Sequence, residues 1–235
     1  VKGALHSNLF TVRVIEVNDD ASDDSEIAPV SEPTIVNLAN IPVGRENLFD
    51  VDFAQVERRI LSNSWIREVR LQKRFPQTVS ISVSFRKPIA LIQRPRGELA
   101  YVDAQGKVFG QLNLLLKSDL PILTGSEEDS TQKWLPAAIR LLSLWEKSGL
   151  HKTASLSSLI WDSDRGFRAV VSYPLTSGEW RRTMVDLGEE IDSRMDSQLE
   201  NLSQVFRYLA GSGIAVRQVW ADAGKKIVVK TAHGS

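Results

Sequence analysis

The chain has 235 residues, and its 29 Lys and Arg balance 29 Asp and Glu, which argues against a strongly basic nucleic-acid or acidic-lipid binder. It contains no Cys, which excludes disulfides, Cys-ligated zinc, iron–sulfur clusters and thiol catalysis. At roughly 150 residues per domain, this length predicts one large domain or two small ones. No apolar run reaches the roughly 18–20 residues that span a bilayer. Because the chain begins with Val1 rather than Met, we expect a soluble part of a longer protein, with any membrane anchor upstream.

The first segment alternates apolar and polar residues and predicts a strand over residues 9–17. An acidic stretch over residues 19–32 follows, without a basic residue. A calcium loop is one interpretation, but the stretch lacks the turn glycine and the terminal glutamate that such loops need. We interpret it as a solvated loop.

A helix and two strands are predicted next. Asp52 and Gln55 form a capping box, and the apolar residues after it recur at helical spacing: Phe53, Val56, Ile60 and Leu61. A strand then starts near Ile66, and Phe75-Pro76 turns the chain. Strict alternation beyond the turn predicts a half-buried strand, carried by Val79, Ile81, Val83 and Phe85.

The remainder of the chain predicts short strands around two helices. The strands are expected at residues 99–102, 107–109, 120–123, 156–161, 167–172 and 183–186. The helices are expected at residues 133–148 and 191–210, and residues 215–221 and 225–231 form a closing hairpin. Trp134 and Trp145 lie at helical spacing, which favours core packing over a ligand pocket.

Four motifs occur in a specific order. They are GRENLF at 44–49, SWIREVRLQKRFP at 64–76, TVSISV at 78–83 and RKPIA at 86–90. In this order they resemble the extracytoplasmic region of the FtsQ/DivIB bacterial cell-division proteins. LAYVDAQGKVF at 99–109 agrees with that resemblance, whereas the acidic stretch and Trp220, where the family has Tyr, depart from it.

The resemblance implies an α+β fold with two domains. Residues 8–92 would form a POTRA domain, a β-α-α-β-β module. Residues 93–235 would form the family's β domain, mainly antiparallel and mixed, with two helices and an open C-terminal edge strand.

The resemblance also implies a function. The protein would be a non-enzymatic scaffold of the division machinery that links early and late septal proteins. It would be the periplasmic domain of a single-pass inner-membrane protein, and would bind an FtsB/FtsL-type partner (DivIC/FtsL in other bacteria) by β-augmentation. The residues suited to this role lie on the closing hairpin: Trp220, Lys225, Lys226, Ile227, Val228, Val229 and Lys230. The alternative is that these lysines only protect a bare sheet edge from aggregation.

A basic stretch over residues 58–96 includes Arg70, Lys73 and Arg74 as possible POTRA docking residues. They could contact anionic headgroups or acidic division partners. Solvated strand faces and pairing with the acidic stretch are the simpler explanation of these charges.

The sequence does not favour an enzyme. The candidate acid–base pairs are Asp162 with Asp164 and Glu189 with Glu190, and no nucleophile, phosphate-loop or metal motif is present. We therefore expect no cofactor, no metal, no nucleic acid and no small-molecule substrate. The alternative function is a POTRA-containing outer-membrane assembly or secretion factor that chaperones β segments, although such proteins carry tandem POTRA modules.

Overall fold

The computed structural model describes residues 8–19, 30–112, 119–125, 131–189, 191–221 and 226–231. The chain divides into two compact units between Lys87 and Pro88. The boundary predicted after residue 92 falls inside strand Pro88–Gln93. That strand pairs with Leu99–Asp103, and these hydrogen bonds place it in the second unit.

The first unit has a three-stranded sheet and two helices. In chain order they are β1 Val14–Asp19, α1 Glu32–Ala39, α2 Phe53–Leu61, β2 Ile66–Arg74 and β3 Thr78–Phe85. The sheet order is β1-β3-β2, with β1 parallel and β2 antiparallel to β3. The predicted β-α-α-β-β order is therefore confirmed.

Two predicted features of this unit need correction. The first strand starts at Val14 rather than residue 9, because residues 11–12 bond instead to the loop at 44–47. The acidic stretch ends within a helix, since Glu32 is the first residue of α1. Residues 20–29 lie outside the described residues.

The predicted cap and strand alternation form the core of the first unit. The Asp52 carboxylate accepts a hydrogen bond from the Gln55 N–H at 3.1 Å, which satisfies one free donor at the start of α2. Val56 and Ile60 of α2 are buried against the alternating apolar residues of β3, Val79, Ile81 and Val83. Leu61, predicted on the same stripe, is instead exposed.

The second unit is a nine-stranded sheet with two long helices. The strands, in chain order, are β4 Pro88–Gln93, β5 Leu99–Asp103, β6 Val108–Phe109, β7 Ile122–Thr124, β8 Ser155–Asp162, β9 Gly166–Pro174, β10 Trp180–Gly188, β11 Val216–Trp220 and β12 Val228–Thr231. The helices are α3 Thr131–Lys147 and α4 Met195–Gly211. The strand order is β12-β11-β10-β9-β8-β7-β4-β5-β6. The predicted α+β class is confirmed.

One continuous row of side chains crosses this sheet and defines its core face. Strand pairing aligns the row as Ala100, Ile92, Leu123, Leu159, Ala169, Val185, Val219 and Val229. All but the last are buried, and they pack in one cluster with the apolar faces of α3 and α4. Trp134 and Trp145 belong to this cluster, each 3% exposed, so the core prediction for both is confirmed.

Candidate functional site at the C-terminal sheet edge

Strand β12 forms one edge of the nine-stranded sheet and, among the described strands, pairs with β11 alone. It begins at Val228, three residues later than predicted. Lys226 and Ile227 therefore precede the strand, and Lys225 lies outside the described residues. Trp220 ends β11 and is paired with Val228.

The hydrogen-bonding pattern of β11 determines which main-chain N–H and C=O groups of β12 point away from the sheet. The Ala221 N–H donates to the Asp186 carbonyl at 2.9 Å, and Asp186 is the register partner of Trp220. In a parallel pair this geometry turns the Trp220 main chain away from β10 and toward β12. Trp220 and Val228 are then a hydrogen-bonded pair, whereas Val229 directs its N–H and C=O to the open edge.

The side chains of β12 alternate between the two faces of the sheet. Val229 continues the core row and packs on the helix side, partly buried. Val228 lies on the opposite face beside the half-buried Trp220, and is 48% exposed. Lys230 lies on that same face, beside Gln218.

A groove of about 630 Å³ runs between β12 and α4. Its apolar wall combines residues of α4, of β12 and of the segments that precede β11 and β12: Val205, Tyr208, Leu209, Ile214, Ile227 and Val229. Tyr208 is 67% exposed although the neighbouring Phe206 is fully buried. The sequence pattern alone does not predict this groove. The only available signal was the position of Tyr208, two residues beyond Phe206 and thus off the buried stripe of α4.

A polar cleft of about 620 Å³ lies beside Gln218 and Trp220 of β11. The Gln218 amide donates to the buried Asp186 carboxylate at 2.6 Å. At the rim, Arg194 hydrogen-bonds Asp192, with its guanidinium 2.6 Å from the carboxylate, and this contact lowers the pKa of Asp192. The cleft was not predicted, because its side chains come from three separate parts of the chain.

A close backbone approach shapes the wall of this cleft. Gly166, at φ 72°, follows the turn that contributes Asp164 and Arg165 to the lining. A Cβ at position 166 would collide with the Gly188 carbonyl, so only glycine fits there.

The three predicted POTRA docking residues do not lie on one face. Arg70 and Arg74 project from the face of the three-stranded sheet opposite the helices, where the Arg74 guanidinium lies 3.0 Å from the Glu16 carboxylate. Lys73 is aligned with the buried Val79 instead. Its ammonium donates to the Phe49 carbonyl at 3.1 Å.

Of the predicted carboxylate pairs, Asp162 with Asp164 is the pair that lies wholly within the described residues. Asp162 pairs with Arg168 at 3.2 Å and accepts the Asp164 N–H at 2.9 Å. Glu190 lies outside the described residues. Within the described ranges, no group of three or more His, Cys, Asp or Glu side chains is arranged to hold a metal ion. The helices in those ranges are also too short or too polar to cross a membrane.

Comparison with known proteins covers both units. Residues 27–84 match the POTRA domain, FtsQ-type, and residues 90–219 match the family Cell division protein FtsQ/DivIB, C-terminal. The chain belongs to the FtsQ/DivIB family.

Its relatives are cell-division proteins. The chain is 27% identical over 218 residues to Cell division protein FtsQ of Geobacter sp. (strain M21), covering 90% of this chain and 75% of that protein. It is 26% identical over 218 residues to the protein of the same name from Geotalea daltonii, covering 88% of this chain and 73% of the relative. The FtsQ of Syntrophotalea carbinolica is 25% identical over 235 residues, and the alignment covers 97% of this chain and 76% of that protein.

These matches confirm the predicted POTRA module and the FtsQ/DivIB C-terminal domain. An outer-membrane assembly factor with tandem POTRA modules would carry further modules where the second match falls. The family match ends at Val219, so Trp220 and β12 lie beyond the matched residues. The assignment of the edge therefore depends on its geometry.

Within this FtsQ/DivIB domain, Tyr173 fixes the start of β11. Its side chain is fully buried in β9. The hydroxyl donates to the Ile214 carbonyl at 2.9 Å and accepts the Val216 N–H at 3.0 Å. Burial raises the pKa of Tyr173 above its ordinary value of 10.0. This side chain ties the incoming β11, and through it β12, to the middle of the sheet.

We predict that Tyr173→Phe lowers the free energy of unfolding by about 1–3 kcal/mol, because the buried Val216 N–H and the part-buried Ile214 carbonyl lose their partner. The raised pKa means that the folded state favours the neutral phenol. The stabilisation that comes from holding the phenol in its neutral form is complete below pH 10.0, and it is lost as the pH rises through the pKa of Tyr173 in the folded state. Denaturant titrations from neutral to alkaline pH should therefore show a smaller alkaline loss of stability for Tyr173→Phe. The exposed Tyr208→Phe is the matched control, and equal stability of the two variants would contradict the assigned role.

Proposed function

We propose that this chain is the extracytoplasmic, periplasmic part of a non-enzymatic division scaffold, anchored by a single upstream membrane helix at the septum. It links early and late septal proteins and binds an FtsB/FtsL-type (DivIC/FtsL) partner by adding a strand to β12. The observation that carries this proposal is the outward main chain of Val229 at the sheet edge. An incoming strand gains main-chain hydrogen bonds there, each contributing about 0.5–1.5 kcal/mol net.

The two faces of β12 would give the guest strand its specificity. Residues of the guest that point to the helix side enter the groove between Val229 and Tyr208, which favours an aromatic or aliphatic side chain. Residues on the opposite face lie near Trp220, Val228 and Lys230. An apolar contact with Trp220 and an acidic side chain near Lys230 suit that face.

The lysines at the edge are consistent with both interpretations of the sequence. Lys226 and Lys230 repel the same edge of another copy, which discourages self-association. The same charges attract an acidic guest strand. The protection of the edge and the choice of partner are therefore compatible.

We predict that Val229→Pro abolishes capture of the FtsB/FtsL-type partner while the domain stays folded, because it removes a donor that points away from β11. Val229→Ala keeps that N–H and trims only the side chain, so it should retain most of the binding. Pull-down with the partner from the same bacterium, alongside circular dichroism of each variant, measures both effects.

Lys230→Pro is the contrasting variant, since it removes a donor that faces β11 and should unfold the hairpin. A folded Val229→Pro protein that still captures the partner at the wild-type level would contradict strand addition at β12.

A second proposed contact involves the outer face of the POTRA sheet. Arg70 and Arg74 are exposed there, and Arg74 already has Glu16 as a partner. A division partner that presents carboxylates to this face could exchange with Glu16. Lys73 is oriented toward the rings of Phe49 and Phe53, so it does not belong to this contact.

We expect Arg70→Glu/Arg74→Glu to weaken recruitment of the full-length protein to division sites, because both side chains reverse charge on one face. Lys73→Glu tests the separate helix-side position. Septal fluorescence of tagged variants at matched expression levels is the readout. If the double variant is recruited at the wild-type level, these charges serve only to keep this face of the sheet solvated.

A further inference from the structure

An exposed aromatic patch lies at one end of the POTRA unit. The rings of Phe10, Phe49 and Phe75 form a cluster, with centroids 5.2, 6.3 and 5.4 Å apart. Phe75 is 61% exposed and the adjoining Leu9 is 60% exposed. Side chains of this size are normally covered in a soluble domain when they cluster in this way.

Three loops hold this patch together. The Thr11 segment bridges to Asn47, and the Leu48 N–H donates to the Phe10 carbonyl at 2.8 Å. The Arg13 N–H donates to the Gln77 carbonyl at 2.8 Å, next to the Phe75 turn. The exposed Val43 lies on the loop whose Gly44 N–H donates to the Val12 carbonyl at 2.8 Å. The patch is thus a fixed feature of the fold.

Lys73 supplies a cation at the border of the patch. Its ammonium lies 5.9 Å from the centroid of Phe49 and 5.2 Å from that of Phe53, while bonding the Phe49 carbonyl. Arg13 and Arg45 are exposed on the same loops, as is Asp50, and Glu46 is half-buried there. These charges nearly cancel, so this surface does not attract charged partners over a long range.

We propose that this patch contacts the headgroup region of a lipid bilayer. This inference rests on the proposed function, because the proposed membrane helix precedes Leu9 and Phe10, which themselves belong to the patch. Phenylalanine and leucine tips beside a lysine are the side chains that favour the boundary between headgroups and acyl chains. A membrane tether upstream of the patch raises the effective concentration of the bilayer, so a small patch is sufficient for contact.

The contact would orient the POTRA unit at the membrane surface. Since the charges on the loops balance, the contact depends on apolar insertion and persists at high salt. Residues far from the patch would remain in water.

The absence of Cys allows a direct test with a single fluorescent label. The whole chain with an N-terminal hexahistidine tag is tethered to phosphatidylcholine–phosphatidylglycerol vesicles that contain a nickel-chelating lipid. A bimane label is placed by Phe75→Cys, and the matched control is Trp180→Cys, an aromatic side chain 64% exposed in the second unit. We expect a blue shift and protection from iodide quenching at position 75, at low and high salt, and neither effect at position 180.

Adding Leu9→Ser/Val43→Ser should reduce the shift at position 75. Equal emission and quenching at positions 75 and 180 would overturn the proposal, as would a shift that disappears at high salt. Partner capture by β12, measured on the same labelled protein, should be unchanged. Loss of the vesicle contact with intact partner capture therefore contradicts only this inference, and the reverse result contradicts only strand addition.

Discussion

The main-chain hydrogen bond from Ala221 to Asp186 sets the phase of the C-terminal hairpin. It fixes Asp186 as the residue of β10 that faces β11, so Trp220 must face β12. Every later assignment follows from this phase, including the outward main chain of Val229. A shift by one residue would turn the donor of Val229 inward and move its side chain from the helix side to the open face.

The same phase places two candidate recognition surfaces on opposite sides of one short strand. Val229 and the groove beside Tyr208 lie on the helix side, whereas Trp220, Val228 and Lys230 lie on the other. Tyr173 holds the start of β11 from within the sheet, through two hydrogen bonds. Buried structure thus supports the edge strand, whose outer main-chain groups are those that the proposed function assigns to a partner.

Much of the fold was predictable because its signals are local. The Asp52 cap, the alternation of Val79, Ile81 and Val83, and the helical spacing of Trp134 and Trp145 each determine one element directly. The groove could not be predicted, since it depends on how α4 packs beside β12, and the cleft and the Tyr173 contact could not be predicted, since each joins distant parts of the chain. The separation of Lys73 from Arg70 and Arg74 follows from strand alternation, which the shared basic composition concealed.

Amide hydrogen exchange at Val228 and Val229 tests this account most directly. In the free protein the Val228 amide should be protected, because it bonds to β11, while the Val229 amide should exchange rapidly. Binding of the FtsB/FtsL-type partner should slow exchange at Val229 and change Val228 little. A Val229 amide that is already protected in the free chain, or that stays unprotected in the complex, would contradict the open edge on which the proposed function depends.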